Sequence, residues 1–153
     1  MDCIDREILK LLSVDAAASS TEIGKKVGLS VPAVNKRIAK LQSGGIIRSF
    51  VAVTDPKKVG KPVVAFIFLV VQYGVGVRDL LECVEQDPDV LECYAVTGDY
   101  DYIIKIAAES VEALEEKLLF FKRQNSVIKS HTMLSLMEHK FCPSCLPCEE
   151  NKR

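Results

Sequence analysis

The chain has 153 residues, of which 48% are hydrophobic and 27% are charged. This length allows one ordinary domain or two small ones with a buried core, and the composition excludes a disordered or fibrous protein. The longest apolar run, Val63–Val71, is too short to span a bilayer, and the acidic start of the chain has no secretory signal. We therefore expect a cytoplasmic protein whose six cysteines are reduced thiols or metal ligands.

The charge is unevenly distributed, although the whole chain has a formal net charge of −1. Residues 1–50 carry eight basic and five acidic side chains, whereas residues 51–153 carry twelve and sixteen. A basic end on a near-neutral chain is typical of a small DNA-binding module joined to another domain. A solvated helix face has the same charge pattern, so charge alone leaves both interpretations open.

Two helices are predicted at the start of the chain. Asp2–Val14 places its apolar side chains at helical spacing and has acidic residues at its N-terminal end. Ser19 and Glu22 have the spacing of a capping box, which opens a short second helix. Gly28 ends that helix, because glycine adopts the conformation of a sharp turn without steric cost.

A third helix follows this glycine turn. Ser30 is its expected cap, and Pro32 is tolerated in its first turn. Two short helices joined by a tight turn after a leading helix form a helix-turn-helix. The next segment, Ile46–Val53, is rich in β-branched residues and predicts a wing or a bridging strand.

The second half of the chain predicts alternating strands and helices. Val63–Val71 is apolar throughout, which favours a strand buried on both faces. Further elements are expected in the order helix, strand, strand, helix, strand, at Val77–Gln86, Val90–Thr97, Tyr100–Ala108, Ser110–Gln124 and Ser130–Glu138. The order β-α-β-β-α-β predicts a ferredoxin-like antiparallel sheet with both helices on one face.

The predicted fold class is therefore α+β, with a winged or plain helix-turn-helix domain followed by a ferredoxin-like domain. The expected boundaries are a DNA-binding domain at residues 1–54, a hinge at 55–61, an effector-binding and oligomerisation domain at 62–141, and a cysteine-rich tail at 142–153.

The outward face of the third helix is a candidate DNA-reading surface. An α-helix fits the major groove of B-DNA, where Asn pairs with adenine and Arg or Lys pairs with guanine. A small residue permits close approach or contacts a thymine methyl group, and a helix N-terminus can hold a phosphate. Lysines outside the helix suit the phosphate backbone. The predicted DNA-binding residues are Lys25, Lys26, Ser30, Ala33, Asn35, Lys36, Arg37, Lys40 and Arg48.

Motifs spread over residues 2–140 share one pattern. The most specific is Thr97-Gly98-Asp99-Tyr100-Asp101 after a β-α-β arrangement, and the others include Gly28-Leu29-Ser30, Gly45-Ile46-Ile47 and Ser130-His131-Thr132. Together they resemble the Lrp/AsnC, or feast/famine, family of transcriptional regulators. The resemblance implies a DNA-binding domain joined to a ferredoxin-like ligand-sensing domain. It also implies dimers that assemble further, often to octamers, and that bind amino acids between dimers.

The segment around Gly98 is the candidate effector site. Asp101 can accept a hydrogen bond from the ammonium group of an amino acid, while backbone amides and Thr132 hold the carboxylate. Tyr100 can form a wall with a polar tip. The same residues also suit a tight turn and a subunit interface. The predicted effector-binding residues are Gly98, Asp99, Tyr100, Asp101 and Thr132.

The C-terminal tail departs from the family pattern. His139, Cys142, Cys145 and Cys148 offer four soft ligands in ten residues, which suits Zn²⁺ or an iron–sulfur cluster. Reduced, exposed thiols at a frayed end of the chain are the alternative. The sequence therefore predicts no required cofactor, with a metal site at the tail as an additional hypothesis.

These observations predict a sequence-specific DNA-binding transcriptional regulator that is not an enzyme. Its expected partners are double-stranded DNA, a small effector such as an amino acid, and further copies of itself, with no membrane. One alternative is a metal- or redox-responsive regulator that uses the cysteine tail. Another is an enzyme similar to siroheme decarboxylases, whose architecture resembles this family, and a third is an amino-acid-binding module, which would not need a basic helix.

Overall fold

The computed structural model describes residues 1–72, 74 and 76–148. The chain forms two compact units, one of Met1–Ala52 with the described residues from Lys140 onward, and one of Val53–His139. The first unit contains the helices α1 (Cys3–Val14), α2 (Ser20–Val27) and α3 (Val31–Ser43). The second contains β1 (Val63–Val71), α4 (Val77–Gln86), β2 (Val90–Ala95), β3 (Tyr102–Ala108), α5 (Val111–Lys122) and β4 (Val127–Leu134).

The first unit is the predicted helix-turn-helix. The capping box of α2 is present. The Ser19 side chain accepts a hydrogen bond from the Glu22 backbone N–H, and the Glu22 carboxylate accepts one from the Ser19 backbone N–H. A second capping box opens α1, where Asp2 and Asp5 play the same roles. The three helices share one small apolar core, formed by Ile8, Leu12, Ile23, Val34 and Leu41.

The turn between α2 and α3 depends on two glycines. Gly28 has φ 71°, the left-handed conformation expected of a glycine after a helix. Gly24 lies inside α2, and a Cβ atom there would stand 2.5 Å from the backbone oxygen of Leu29. Ser30 occupies the N-cap position of α3, but its side chain makes no capping hydrogen bond. Pro32 in the first turn removes one of the backbone N–H groups that would need a partner.

The predicted strand at Ile46–Val53 is wrong. This segment forms no ladder with any other described part of the chain. A strand requires a neighbouring backbone to satisfy its N–H and C=O groups, and a single copy of the chain supplies none here. Most apolar side chains of the segment are exposed, Val51 by 68%, whereas Ile47 packs against the core of the first unit.

The second unit has the predicted ferredoxin-like arrangement, an antiparallel sheet in the order β2-β3-β1-β4. Its core combines alternate residues of β1 and β3 with Leu80 and Val84 of α4 and with Leu114 and Phe121 of α5. The expectation that β1 is buried on both faces is only half right. Its residues alternate between buried and half-buried, because in this chain helices cover one face of the sheet.

Two connections differ from the prediction. The tight reversal expected at Gly98-Asp99 is a longer loop, residues 96–101, which is closed by a 2.9 Å hydrogen bond from Val96 N to Asp101 O. The last strand begins and ends earlier than expected, because its register against β1 places Lys129 opposite Val70 and Leu134 opposite Ala65. No described helix has both the length and the apolar character needed to cross a membrane.

Four charged side chains fix the start of the second unit. Lys61, which precedes β1, forms an ion pair with Asp89, and Lys117 of α5 bonds both Asp87 and Asp89 at 2.7 and 2.9 Å. Hydrogen bonds from Lys61 and then Lys117 hold the pKa of Asp89 below its usual range. This cluster ties Lys61, which lies just before β1, to the turn before β2.

Candidate nucleic-acid interface and effector site

Helix α3 presents one polar face to solvent. Val34 and Leu41 are buried in the core, so the opposite side of the helix is exposed. We call this side the α3 face, and its exposed residues are Pro32, Asn35, Lys36, Ala39 and Lys40. It combines two lysines, one amide and two small or compact side chains, a set that suits close contact with a negatively charged groove.

Asn35 is held in a defined orientation at this surface. The hydroxyl of Ser20, the first residue of α2, donates a hydrogen bond to Asn35 Oδ1. Asn35 is exposed and Ser20 is half-buried, so the amide stays accessible while its side chain is oriented from the neighbouring helix. Bidentate pairing with adenine uses both the oxygen and the nitrogen of an amide, so Ser20 must share or release Asn35 Oδ1.

Arg37 does not belong to the exposed face. Its Nη1 atom lies 2.6 Å from Asp2 Oδ2 and 2.7 Å from Asp5 Oδ1, and Asp5 is only 6% exposed. The hydrogen bonds with Asp2 and then Asp5 raise the pKa of Arg37, and the bond with Arg37 lowers the pKa of Asp2. The structure therefore argues against the predicted guanine contact, because the guanidinium already joins α3 to α1.

The remaining predicted DNA-binding residues lie around the α3 face. Lys25 and Lys26 are exposed in the last turn of α2, and Arg48 is exposed after α3. Ser30 is exposed at the N-terminus of α3, whereas Ala33 is half-buried. The first unit thus carries exposed basic side chains on α2, on α3 and on the segment that follows them.

Asp101 holds the predicted effector turn to the sheet. Its Oδ2 accepts a 2.8 Å hydrogen bond from Val71 N, and its own N–H donates to Leu69 O at 2.8 Å. The carboxylate that was expected to bind an ammonium group therefore anchors the loop to the end of β1. Gly98 and Asp99 lie at the exposed tip of that loop.

The five predicted effector residues do not form one cluster. The ring of Tyr100 contacts those of Phe68, at a centroid distance of 5.2 Å, and His131, at 6.3 Å. Thr132 pairs with Ile67, a buried residue on the side of the sheet that the helices cover. Because neighbouring residues of a strand point to opposite faces, Thr132 is separated by the sheet from the aromatic group of Tyr100.

A surface groove of 420 Å³ lies elsewhere in the second unit, between α4 and β2. Leu81, Val84 and Cys93 are among its lining residues, and none of the five predicted effector residues lines it. Burial raises the pKa of the Cys93 thiol. The groove is therefore a feature distinct from the loop at residues 96–101.

Comparison with known domains assigns both halves of the chain. Residues 1–42 match the AsnC-type helix-turn-helix domain family, and residues 64–144 match the Lrp/AsnC ligand binding domain family. The chain belongs to the Lrp/AsnC family. It is thus a transcriptional regulator with a DNA-binding helix-turn-helix and a ligand-binding domain, and its described elements agree with this assignment.

Curated relatives in the Lrp/AsnC family span nearly the whole chain. The HTH-type transcriptional regulator FL11 of Pyrococcus horikoshii is 35% identical, with 92% of each chain covered. The transcriptional regulator AzlB of Bacillus subtilis is also 35% identical, over 84% of this chain and 83% of its own. These relatives are named as transcriptional regulators, which supports the expectation that the chain is not an enzyme.

Solved structures of the Lrp/AsnC family have the same fold. A transcriptional regulator of Neisseria meningitidis in complex with L-Met has a TM-score of 0.88 and 26% identity, with 95% of this chain and 96% of that chain covered. Escherichia coli AsnC has a TM-score of 0.85 and 26% identity, covering 96% and 99%. Bacillus subtilis LrpC has a TM-score of 0.82 and 31% identity, covering 92% and 97%.

The predicted metal site at the tail of this Lrp/AsnC protein is not supported. Among the described residues, no group of three or more His, Cys, Asp or Glu side chains is placed to hold a metal ion. His139, Cys142, Cys145 and Cys148 are all described and exposed. Their segment has no regular structure that would direct four ligands to one point, and Cys142 Sγ instead donates to the carbonyl of Ser144.

Sequence reasoning missed the partners of its own candidates. Asp2 and Asp5 suit the N-terminus of α1 by sequence, yet they also bind Arg37. Their spacing to residue 37 carries no local signal. Phe68 and His131 join Tyr100 in one aromatic group, and the alternation of side chains along each strand is the signal that places the pair on one face.

Proposed function

We propose that this Lrp/AsnC regulator recognises DNA sequence through the α3 face and that an amino acid modulates its binding. The single observation that carries the DNA part is the exposed α3 face, which combines the amide of Asn35 with the ammonium groups of Lys36 and Lys40. Arg37 and its partners Asp2 and Asp5 lie away from the α3 face and fix the position of α3 against α1.

Each exposed group has a separate part in the proposed interface. Asn35 reads base edges in the major groove, and Lys36 and Lys40 contact bases or the flanking phosphates. Lys25, Lys26 and Arg48 bind the backbone, which supplies most of the affinity but none of the direct sequence readout. The N-terminus of α3 adds a site for one phosphate beside Ser30.

The test is binding of the purified chain to DNA from upstream of its own gene and to a scrambled fragment, over a series of salt concentrations. Asn35→Ala should remove about 1–3 kcal/mol of discrimination between the two fragments. Lys25→Ala should lower the affinity for both equally and reduce the salt slope by about 0.9 per lost phosphate contact. Asn125→Ala and Lys122→Ala in the second unit are the matched controls and should change neither quantity.

An unchanged discrimination ratio in the Asn35 variant would remove that residue from the interface. Equal binding of the native chain to both fragments at every salt concentration would refute sequence-specific recognition of this DNA.

The proposed effector site is the exposed tip of the loop at residues 96–101. Asp99 accepts a hydrogen bond from the ammonium group of a free amino acid. The backbone N–H groups beside Gly98 hold the carboxylate of that amino acid. Asp101 keeps the loop in place through Val71 N, and the ring of Tyr100 forms a wall. The L-Met complex of the Neisseria meningitidis protein supports an amino acid as the ligand class.

A panel of free amino acids, followed by calorimetry and by DNA binding, tests the effector site. One amino acid should bind and shift the DNA affinity, and Asp99→Asn should weaken its binding at least about tenfold because a charged acceptor is lost. Glu109→Gln, an exposed carboxylate of the same unit, is the control. Full amino-acid affinity in the Asp99 variant would place the ligand elsewhere.

We further propose that dimers of the chain assemble to larger oligomers, up to octamers, and that the amino acid binds between dimers in the cytoplasm. Two copies would place two α3 helices in successive major grooves of a pseudo-palindromic site. The effector changes DNA occupancy only by the difference between its affinities for the two assemblies. The domain boundaries that the sequence predicts, with a hinge at residues 55–61, are part of this proposal. Mass determination with and without the effector tests this scheme.

A further inference from the structure

The C-terminal segment at residues 140–148, here called the cysteine tail, belongs to the first unit, which contains the helix-turn-helix. Ser144 Oγ lies 3.1 Å from Ser13 Oγ of α1, so one hydrogen bond joins the two hydroxyls. The described tail contains no helix or strand, and Pro143 and Pro147 have no backbone N–H to offer. Few backbone hydrogen bonds therefore oppose a local change in its conformation.

Cys142 and Cys145 stand on either side of a bend at Ser144. Cys142 Sγ donates a 3.2 Å hydrogen bond to the Ser144 carbonyl, which is part of the peptide group that leads directly into Cys145. The first thiol is thus already directed towards the backbone of the second. A disulfide requires Cα atoms about 4.4–6.8 Å apart, so the flexible bend must bring the two cysteines to that span before they bond.

The other cysteines of the chain do not share this arrangement. Cys148 follows Pro147 and lies outside the bend, and Cys3 is exposed at the start of α1, far from the tail in sequence. Cys83 and Cys93 are partly buried within α4 and β2. The cysteines of the tail are all free and exposed, so reagents in solution reach them. A metal site would need more ligands gathered at one point than the described residues provide, whereas a disulfide needs only two thiols.

We propose that Cys142 and Cys145 form a redox-active dithiol, a modification site whose reaction partner is a low-molecular-weight disulfide such as glutathione disulfide. One cysteine loses its proton to solvent, and its thiolate attacks a sulfur of the small disulfide. A mixed disulfide forms and one thiolate leaves. The second cysteine, likewise deprotonated, attacks the protein sulfur of the mixed disulfide and expels the other small thiolate. The protein gives up two electrons, the small disulfide becomes two thiols, and these take up the two protons.

Formation of the disulfide between Cys142 and Cys145 alters the backbone around Ser144, the residue that bonds the tail to α1. Cys142 Sγ must leave the Ser144 carbonyl to bond Cys145, and the bend at Ser144 must adjust to the geometry of the disulfide. The hydroxyl of Ser144 is the group that contacts Ser13. Oxidation therefore rearranges the contact between the tail and α1. This inference is independent of the amino-acid effector and of the DNA sequence.

The experiment treats the reduced, full-length chain with glutathione disulfide, quenches with acid, and measures the intact mass and the linked peptides. The native chain should lose about 2 Da through a bond between Cys142 and Cys145. Cys145→Ser should instead retain a glutathione adduct of about 305 Da on Cys142, and Cys142→Ser should retain one on Cys145. Cys148→Ser is the matched control and should form the same bond as the native chain. The thiol of Cys93, whose pKa is raised by burial, provides an internal reference that reacts more slowly.

Stable adducts on the tail of the native chain, without the loss of two hydrogen atoms that a disulfide requires, would overturn the proposal. A tail disulfide that persists in Cys142→Ser would assign the pair to Cys145 and Cys148 instead. Protection of all three tail thiols by one equivalent of Zn²⁺ would identify a metal site and would also overturn it.

Discussion

The packing of α2 against α3 depends on the absence of a side chain at Gly24. An added Cβ would stand 2.5 Å from Leu29 O, 3.6 Å from Leu29 C and 3.6 Å from Val34 Cγ2. The first contact is with backbone oxygen in the turn, which cannot rotate away as the end of a flexible side chain can. An ordinary contact begins near 3.4 Å, so Gly24→Ala must move the turn and the start of α3 by several tenths of an ångström.

The expected free-energy change combines two opposing effects. Alanine in a helix interior is favoured over glycine by about 1 kcal/mol. Overpacking a well-packed contact costs about 1–3 kcal/mol, and a contact as short as 2.5 Å belongs at the upper end of that range. We expect Gly24→Ala to destabilise the first unit by about 1–2 kcal/mol. In a domain of this size, that corresponds to a decrease of roughly 4–16 °C in melting temperature.

Gly28→Ala is the matched control. Its φ of 71° makes alanine unfavourable by about 1–2 kcal/mol, but an added Cβ there meets nothing within 4 Å. The two variants should therefore lose similar stability, while only Gly24→Ala displaces α3. DNA affinity measured well below both melting temperatures should fall in Gly24→Ala and stay near the native value in Gly28→Ala. Equal DNA affinity in the two variants would refute the argument from helix displacement.

Three further predictions concern the ion pairs and the second core. The pKa of Asp89 is lowered in the folded chain by Lys61 and then Lys117, so this stabilisation is present above the unfolded pKa, near 4, and is lost as the pH falls through the folded pKa. Asp89→Asn should therefore unfold at lower urea than the native chain at pH 7, and the difference should vanish at strongly acid pH; a constant difference would contradict this. Arg37→Gln should lower the melting temperature of the first unit and change the ratio of specific to scrambled DNA affinity by less than about twofold, whereas a collapse of that ratio would show a base contact. Phe121→Ala should cost about 3–5 kcal/mol and remove hydrogen-exchange protection from residues 53–139 while leaving residues 1–52 protected.

Local signals in the sequence determined the helices and the order of the elements. The capping box of Ser19 and Glu22, the glycine at position 28 and the apolar periodicity of α4 act over a few residues, so they can be identified without knowing the rest of the fold. The motif around residues 97–101 identified the family for the same reason. The antiparallel sheet followed from the alternation of elements, since few arrangements bury the resulting faces.

Only the tertiary structure decided which side chains are available at the two sites. Arg37 carries the helical spacing of a base-reading residue, but Asp2 and Asp5 are more than thirty positions away and leave no periodic trace of the ion pairs. Asp101 is likewise bound by a backbone N–H thirty residues earlier, and Thr132 is turned away by the register of β4 against β1. Strand pairing also depends on distant residues. Ile46–Val53 has the composition of a strand but forms none, because it lacks a neighbouring backbone in the single chain. Composition and spacing determine what a segment can form, whereas contacts between distant residues decide which of its groups remain free to bind.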